Sequence, residues 1–303
     1  MSAIARPLPP PLRAGARVGV FALSGPPDAA ALAAGARRLE SAGFELVRAA
    51  NLGDRDAYLA GSDEARAAGL AGLLDAGVDA LLAARGGYGA LRALPLLPWQ
   101  RLREWGGWLV GFSDLTALHA GAAVHGLPAT VHGPVTTTLA RHAPSAERLL
   151  ALLGGRAPRR LFRVPPARVV RPGVVRGVAA GGNLSVLAAL AGTAFEPDLG
   201  GAVLFLEDVG EPGYRLDRLL TQLRLSSRLD SVKALIAGRL SRCGRSEPGW
   251  RERWRRLLDE AAPPGAVVVE GMPFGHGTAN LPFPLGVEMS VDTDRGEISW
   301  EGA

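Results

Sequence analysis

Strand-like and helix-like segments alternate from residue 17 to residue 131, and this restricts the possible folds more than any other feature of the chain. Largely apolar, strand-like runs fall at 17–23, 44–49, 78–84, 108–112 and 128–131. Between them, helices are predicted from Asp28 through Ser41, from Ser62 or Asp63 to Asp75, across 90–97 and across 114–125. Gly43, Gly77 and Pro98 supply the stops. A βαβα order of this kind calls for a parallel sheet covered by helices on both faces. In such sheets ligands bind outside the carboxyl ends of the strands.

The rhythm then changes. Pro144, Pro158, Pro165, Pro166 and Pro172 cluster with many arginines, so 144–172 reads as a linker with one helix at 145–153. The 303 residues suit two domains. The expected division is an N-terminal α/β domain over 1–143 and a smaller C-terminal domain over 173–303. In the second, Leu216, Leu219, Leu220 and Leu223 carry the i, i+3, i+4, i+7 spacing of an amphipathic helix. Residues 285–300 read as a hairpin around Asp294-Arg295-Gly296.

Charge excludes some functions. The net charge is +5, and Lys233 is the only lysine. The arginines are interleaved with Asp and Glu, without the one-sided concentration of a nucleic-acid binder. No apolar stretch approaches the ~18–20 residues of a membrane span, and no apolar signal region follows the Pro-rich start. A cytoplasmic location, with no nucleic-acid or membrane partner, is the expectation. The single cysteine, Cys243, excludes a disulfide framework or a Cys-based zinc module. Arg242 and Arg245 flank it, but no histidine is near it in sequence, so it is given no catalytic role. The dispersed histidines match no metal-ligand spacing, so no metal is expected.

The sharpest local motif is Gly111-Phe112-Ser113-Asp114, where a buried strand runs into a turn and then a helix. A serine there either projects its hydroxyl from a nucleophile elbow beside unsatisfied helix N–H groups or simply caps the helix. Leu115 stands where the hydrolase pattern G-x-S-x-G has its second glycine. Arg85-Gly86-Gly87-Tyr88-Gly89 follows another strand, and its glycines allow backbone N–H groups close to a ligand. A serine nucleophile needs a base and an acid that orients the base. Of five histidines, His119, His125, His132 and His142 read as structural. His276 lies between two glycines on a loop, and Glu207, followed by Asp208, ends an apolar strand. Each also has a bland reading, as a loop histidine and a salt-bridge carboxylate.

Seven segments in order resemble the LD-carboxypeptidase family, the serine peptidases that include murein tetrapeptide carboxypeptidases and microcin C self-immunity proteins. They are Arg85–Gly89, the run from Gly111 to His119, His132-Gly133-Pro134, Gly181-Gly182-Asn183-Leu184, Leu204 to Asp208, the Tyr214 segment with Thr221-Gln222-Leu223, and Gly275-His276. The resemblance implies a flavodoxin-like N-terminal domain and a β-rich α+β C-terminal domain. It implies a triad of Ser113, Glu207 and His276 at an interdomain cleft, and an oxyanion hole from the N–H groups of Asp114 and a glycine of the Gly86-Gly87 turn, preferably Gly87. Arg85 and Gly86 are the substrate-binding candidates, Arg85 for a terminal carboxylate. No cofactor, a small murein peptide as substrate, and a homodimer are further implications. Two alternatives stand beside hydrolysis of an L,D-peptide bond: cleavage of peptidyl or aminoacyl-nucleotide amides, and a non-catalytic binding protein on the same fold. Phe162 is the only aromatic residue in 144–172, which leaves no obvious surface there for a nucleobase.

Overall fold

The alternating first half folds into one sheet. In the computed structural model, which describes residues 3–245 and 247–300, β1 (Arg17–Phe21) pairs in parallel with β2 (Glu45–Arg48) on one side and β3 (Ala80–Ala83) on the other. β4 (Trp108–Gly111) and β5 (Thr130–His132) continue the sheet, also in parallel. The order 2-1-3-4-5 is that of flavodoxin-like folds, in which the order of strand addition reverses between β1 and β3 and opens a crevice there. A strand from far along the chain, Phe283–Leu285, adds to the free edge of β5.

Local chemistry explains the elements. The strands β3 and β4 are buried throughout, as a sheet covered on both faces requires. Asp28 caps the helix Ala29–Glu40 by accepting from Ala31 N–H, and Ser62 caps Asp63–Asp75 by accepting from Ala65 N–H. The segment at 90–97 is an α-turn, Ala90–Ala93, tightening into a 3-10 turn at Leu94–Leu96; a further helix, Trp99–Trp105, follows Pro98. Sequence reasoning missed that helix because its seven residues are too few to show a periodicity.

The chain divides into two units, one of Arg6–Ala157 with Thr278–Pro284, the other built on Pro158–Gly277 and the strands after Leu285. Residues 144–172 are well structured. They hold most of the helix Ala143–Leu153 and the strands β6 (Arg160–Arg163) and β7 (Val169–Arg171). The second sheet adds β8 (Val174–Asn183), β9 (Ala202–Val209), β10 (Ala234–Ser241) and β11 (Val267–Val269), all parallel to their neighbours in that run. With Phe283–Leu285 counted as β12, β13 (Glu288–Asp292) and β14 (Glu297–Trp300) form the predicted hairpin. The order is β6-β14-β13-β8-β9-β10-β11-β7. Leu216, Leu220 and Leu223 of the helix Gly213–Leu225 join Leu184, Leu187, Leu257 and Leu258 in this unit's core.

Candidate active site

Ser113 sits in a backbone conformation that side chains avoid. Phe112 is fully extended, and Ser113 then turns into the left-handed region at φ 65°. Such a conformation costs about 1–3 kcal/mol for a residue with a Cβ. The 3-10 turn Ser113–Leu115 leads into the helix Thr116–Val124. The cap position of the turn is Phe112 and that of the helix is Leu115, so Ser113 is not the helix cap. Two glycines make room for the turn. A Cβ on Gly111 would come within 2.8 Å of Leu115 Cβ, and one on Gly86 within 2.8 Å of Ser113 Cβ and 2.9 Å of its Oγ. The Gly86-Gly87 turn therefore packs directly on the Ser113 side chain.

The carboxylate next to Ser113 ties three loops together. Asp114 is buried, and its Oδ2 accepts from Ser24 Oγ at 2.6 Å and from Ala90 N–H at 2.8 Å. Burial pushes its pKa up, against the pull of those two hydrogen bonds. Behind it the fully buried Arg66 donates to the carbonyls of Leu23 and Gly89 and pairs with Asp63. Loops after β1, β3 and β4 are thus held by one polar cluster. Sequence reasoning assigned only the backbone of Asp114, and missed Ser24 and Arg66. The one available signal was an arginine within the Ala- and Leu-rich stretch that forms the helix Asp63–Asp75.

At the crevice between β1 and β3 lies a cleft of about 510 Å³ lined by Gly25, Tyr58, Arg85, Gly87 and Tyr88. Tyr58 and Tyr88 meet edge to face, ring centroids 5.6 Å apart, and both are exposed. The Arg85 guanidinium is anchored by neutral groups: Nε donates to Gly86 C=O at 3.0 Å and Nη1 to Pro26 C=O at 3.1 Å. Gly86 C=O also accepts from Gly25 N–H. In a planar trans peptide the Gly87 N–H points the opposite way from that carbonyl, so it is turned from Gly25 and Arg85.

In the other unit, Glu207 of β9 is fully buried and its Oε2 lies 2.6 Å from His276 Nδ1. A carboxylate accepting there fixes the hydrogen on Nδ1 and leaves Nε2 as the basic nitrogen of a neutral ring. Gly275 makes the contact possible, since a Cβ on it would fall 2.6 Å from the same oxygen. The neighbouring Asp208 points elsewhere: its Oδ2 accepts from Ser185 N–H at 2.9 Å and Ser185 Oγ at 2.7 Å. Asn183 serves both carboxylates. Its Nδ2 donates to Asp208 at 3.1 Å and Glu207 at 3.4 Å, while its Oδ1 caps the helix Leu184–Leu190. Asn183 carried a sequence signal, following two glycines and opening an apolar helix.

The other histidines hold structure. His119 Nε2 donates to Gly111 C=O at 3.0 Å, and burial lowers its pKa to about 4, so it is neutral near pH 7. His125 stacks on Trp99, His132 on Phe283, and His142 caps its helix. Burial pushes the Cys243 thiol up to about 11, which keeps it protonated and inert. No helix among the described residues is long and apolar enough to cross a membrane.

Comparison with known proteins defines the class: the chain is an α/β peptidase. It belongs to the LD-carboxypeptidase family, whose N-terminal domain matches residues 18–133 and whose C-terminal domain matches residues 176–291. A putative carboxypeptidase of Streptomyces coelicolor is 42% identical over 300 residues, covering 96% of this chain and 95% of that one. The murein tetrapeptide carboxypeptidase of Pseudomonas aeruginosa is 36% identical, covering 91% and 94%. Among solved structures, MccF in complex with glutamyl sulfamoyl guanosine shares the fold, with a TM-score of 0.87 at 23% identity over 99% of both chains.

Proposed function

We propose that this protein is a serine carboxypeptidase that cleaves the L,D-peptide bond to a terminal D-alanine in murein tetrapeptides. The observation that carries the reading is the left-handed Ser113, held at a strand end with a glycine turn against its hydroxyl. Ser113 is the nucleophile, His276 the base and Glu207 the group that orients it. Neutral His276 takes the Ser113 proton at Nε2 as Oγ attacks the carbonyl. Glu207 keeps the ring in the tautomer with Nδ1–H and stabilises the imidazolium. The N–H groups of Gly87 and Asp114 stabilise the oxyanion, a role worth ~10²–10³ in kcat per donor. His276 then protonates the leaving amine, and water releases the acyl group from Ser113.

Arg85 binds the free carboxylate of the departing D-alanine. Two of its nitrogens are engaged by backbone carbonyls, and Nη2 is the guanidinium atom nearest Gly87. Its charge faces a cleft and carries no carboxylate partner among the described residues. Residues 1–143 supply the nucleophile and 173–303 the acid and base. The same reading carries a cytoplasmic homodimer that works without a cofactor.

The test is an assay with a murein tetrapeptide and, in parallel, an aminoacyl-sulfamoyl adenylate. Release of D-alanine from the first, lost in Ser113→Ala, is the expected result. Turnover of the nucleotide conjugate alone would move the protein to the self-immunity reading. Full turnover by Ser113→Ala would end the serine mechanism.

A further inference from the structure

A second cleft, about 270 Å³, lies at the carboxyl end of β10 in the unit that holds His276. Arg168, Arg239 and Arg251 line it with Trp250, Trp254 and Glu270. The charge of Glu270 is already matched. Its buried carboxylate accepts from Arg255 Nη1 at 2.7 Å, and Arg255 is further held by the carbonyls of Ala167 and Val169. The three lining arginines have no ion-pair partner among the described residues. Cations gathered on a concave surface focus their field into it and attract anions. The two indoles, with centroids 6.0 Å apart and planes tilted by 36°, add aromatic surface to the cleft's lining.

Arg239 joins this cleft to the catalytic loop. Its backbone N–H donates to Phe274 C=O at 2.9 Å. Its side-chain stem lies against Gly277, where a Cβ would fall 2.5 Å from Arg239 Cδ. His276 is the residue between the Gly275 that approaches Glu207 and the Gly277 that approaches Arg239. We infer that the cleft is a subsite for an anionic group, carboxylate or phosphate, that the substrate carries away from its scissile amide. The inference rests on the hydrolase reading above only in calling the ligand a substrate. A charged oxyanion met by guanidinium groups forms the stronger class of hydrogen bond, so the subsite acts mainly on KM.

Two measurements on the full chain test this. In the first, Trp fluorescence is followed while tricarballylate or AMP is added, to wild type and to the Arg168→Gln/Arg251→Gln double variant. Saturation in wild type and its loss in the variant are expected; tricarballylate alone identifies a carboxylate subsite, AMP alone a phosphate one. Absence of saturation with both overturns the inference. In the second, kcat/KM is compared for a tetrapeptide with free side-chain carboxylates and for its amidated counterpart. A loss of about tenfold on the acidic peptide only, or ~1.4 kcal/mol, is the expected result for the double variant. Equal loss on both peptides, or none, overturns it. Saturable binding without turnover of any peptide would keep the subsite and remove the hydrolase reading, and turnover without saturation or discrimination would do the reverse.

Discussion

Ser24 Oγ and Asp114 Oδ2 meet at 2.6 Å, so the loop after β1 is fastened to the residue that follows Ser113. The same oxygen holds Ala90 N–H, just beyond the glycine turn. Asp114→Ala should therefore loosen the geometry around Ser113 and lower kcat by about 10²-fold, with KM changed far less. Asp114→Asn keeps an acceptor in place and should recover most of the rate. Steady-state kinetics decide it; a loss in KM alone would show that the clamp serves binding.

Ser113 holds a strained conformation, and glycine relieves such strain. Ser113→Gly should abolish turnover while unfolding at higher urea than Ser113→Ala, by about 1 kcal/mol. Equal midpoints for the two variants would mean that the left-handed turn is not a cost to the fold.

Gly86 leaves no room for a Cβ against Ser113. Gly86→Ala should cut kcat/KM by ~10²-fold or more, since a displacement near 1 Å at the reacting atoms is enough. Activity close to wild type would show that the turn gives way at little cost.

Glu207 and Asp208 are adjacent, yet only Glu207 touches His276. Glu207→Gln should lower kcat by about 10⁴, the loss seen when the orienting acid of such a triad is neutralised. Asp208→Asn should act mainly on stability, through Ser185 and Asn183. Comparable kcat losses in both variants would contradict this division.

The pH dependence of stability has a definite sign at His119. Its folded pKa, about 4, lies below the usual 6.5. Between those values the unfolded chain binds a proton that the folded chain does not, so stability falls as pH drops from 6.5 toward 4. The loss should reach a few kcal/mol, at ~1.4 kcal/mol per unit. Urea midpoints at pH 7 and pH 5 should differ more for wild type than for His119→Gln; parallel shifts would assign the acid sensitivity elsewhere.

Features carried by short-range pattern were readable from the chain. The five parallel strands, the Asp28 and Ser62 caps and the Leu216–Leu223 face each depend on residues within a few positions of one another. The strand–turn–helix junction at Ser113 was readable as well, although setting aside the cap reading needed the backbone itself. Ser24, the inward turn of Asp114 and the reach of Arg66 to Gly89 were not readable, because those partners lie 23 to 90 positions away and no local period records them; the Arg66 pair with Asp63 is local but does not show that the arginine is buried. Residues 144–172 misled for a different reason. Prolines there punctuate short strands, and β6 and β7 have four and three residues. Glu207 and Asp208 are chemically alike in sequence, and the glycine at 275 that admits one of them is visible only in three dimensions.

The strand Phe283–Leu285, with Phe283 stacked on His132, has a consequence for biogenesis. The sheet bearing Ser113 reaches β5 at His132 and then waits for its last neighbour until about 150 further residues have been made, some 8–30 s at ~5–20 residues per second. During that interval β5 presents bare amides and carbonyls to its surroundings, the kind of border that recruits foreign strands. A nascent chain halted after residue 157 would carry that raw border permanently, because the strand that closes it has not yet emerged.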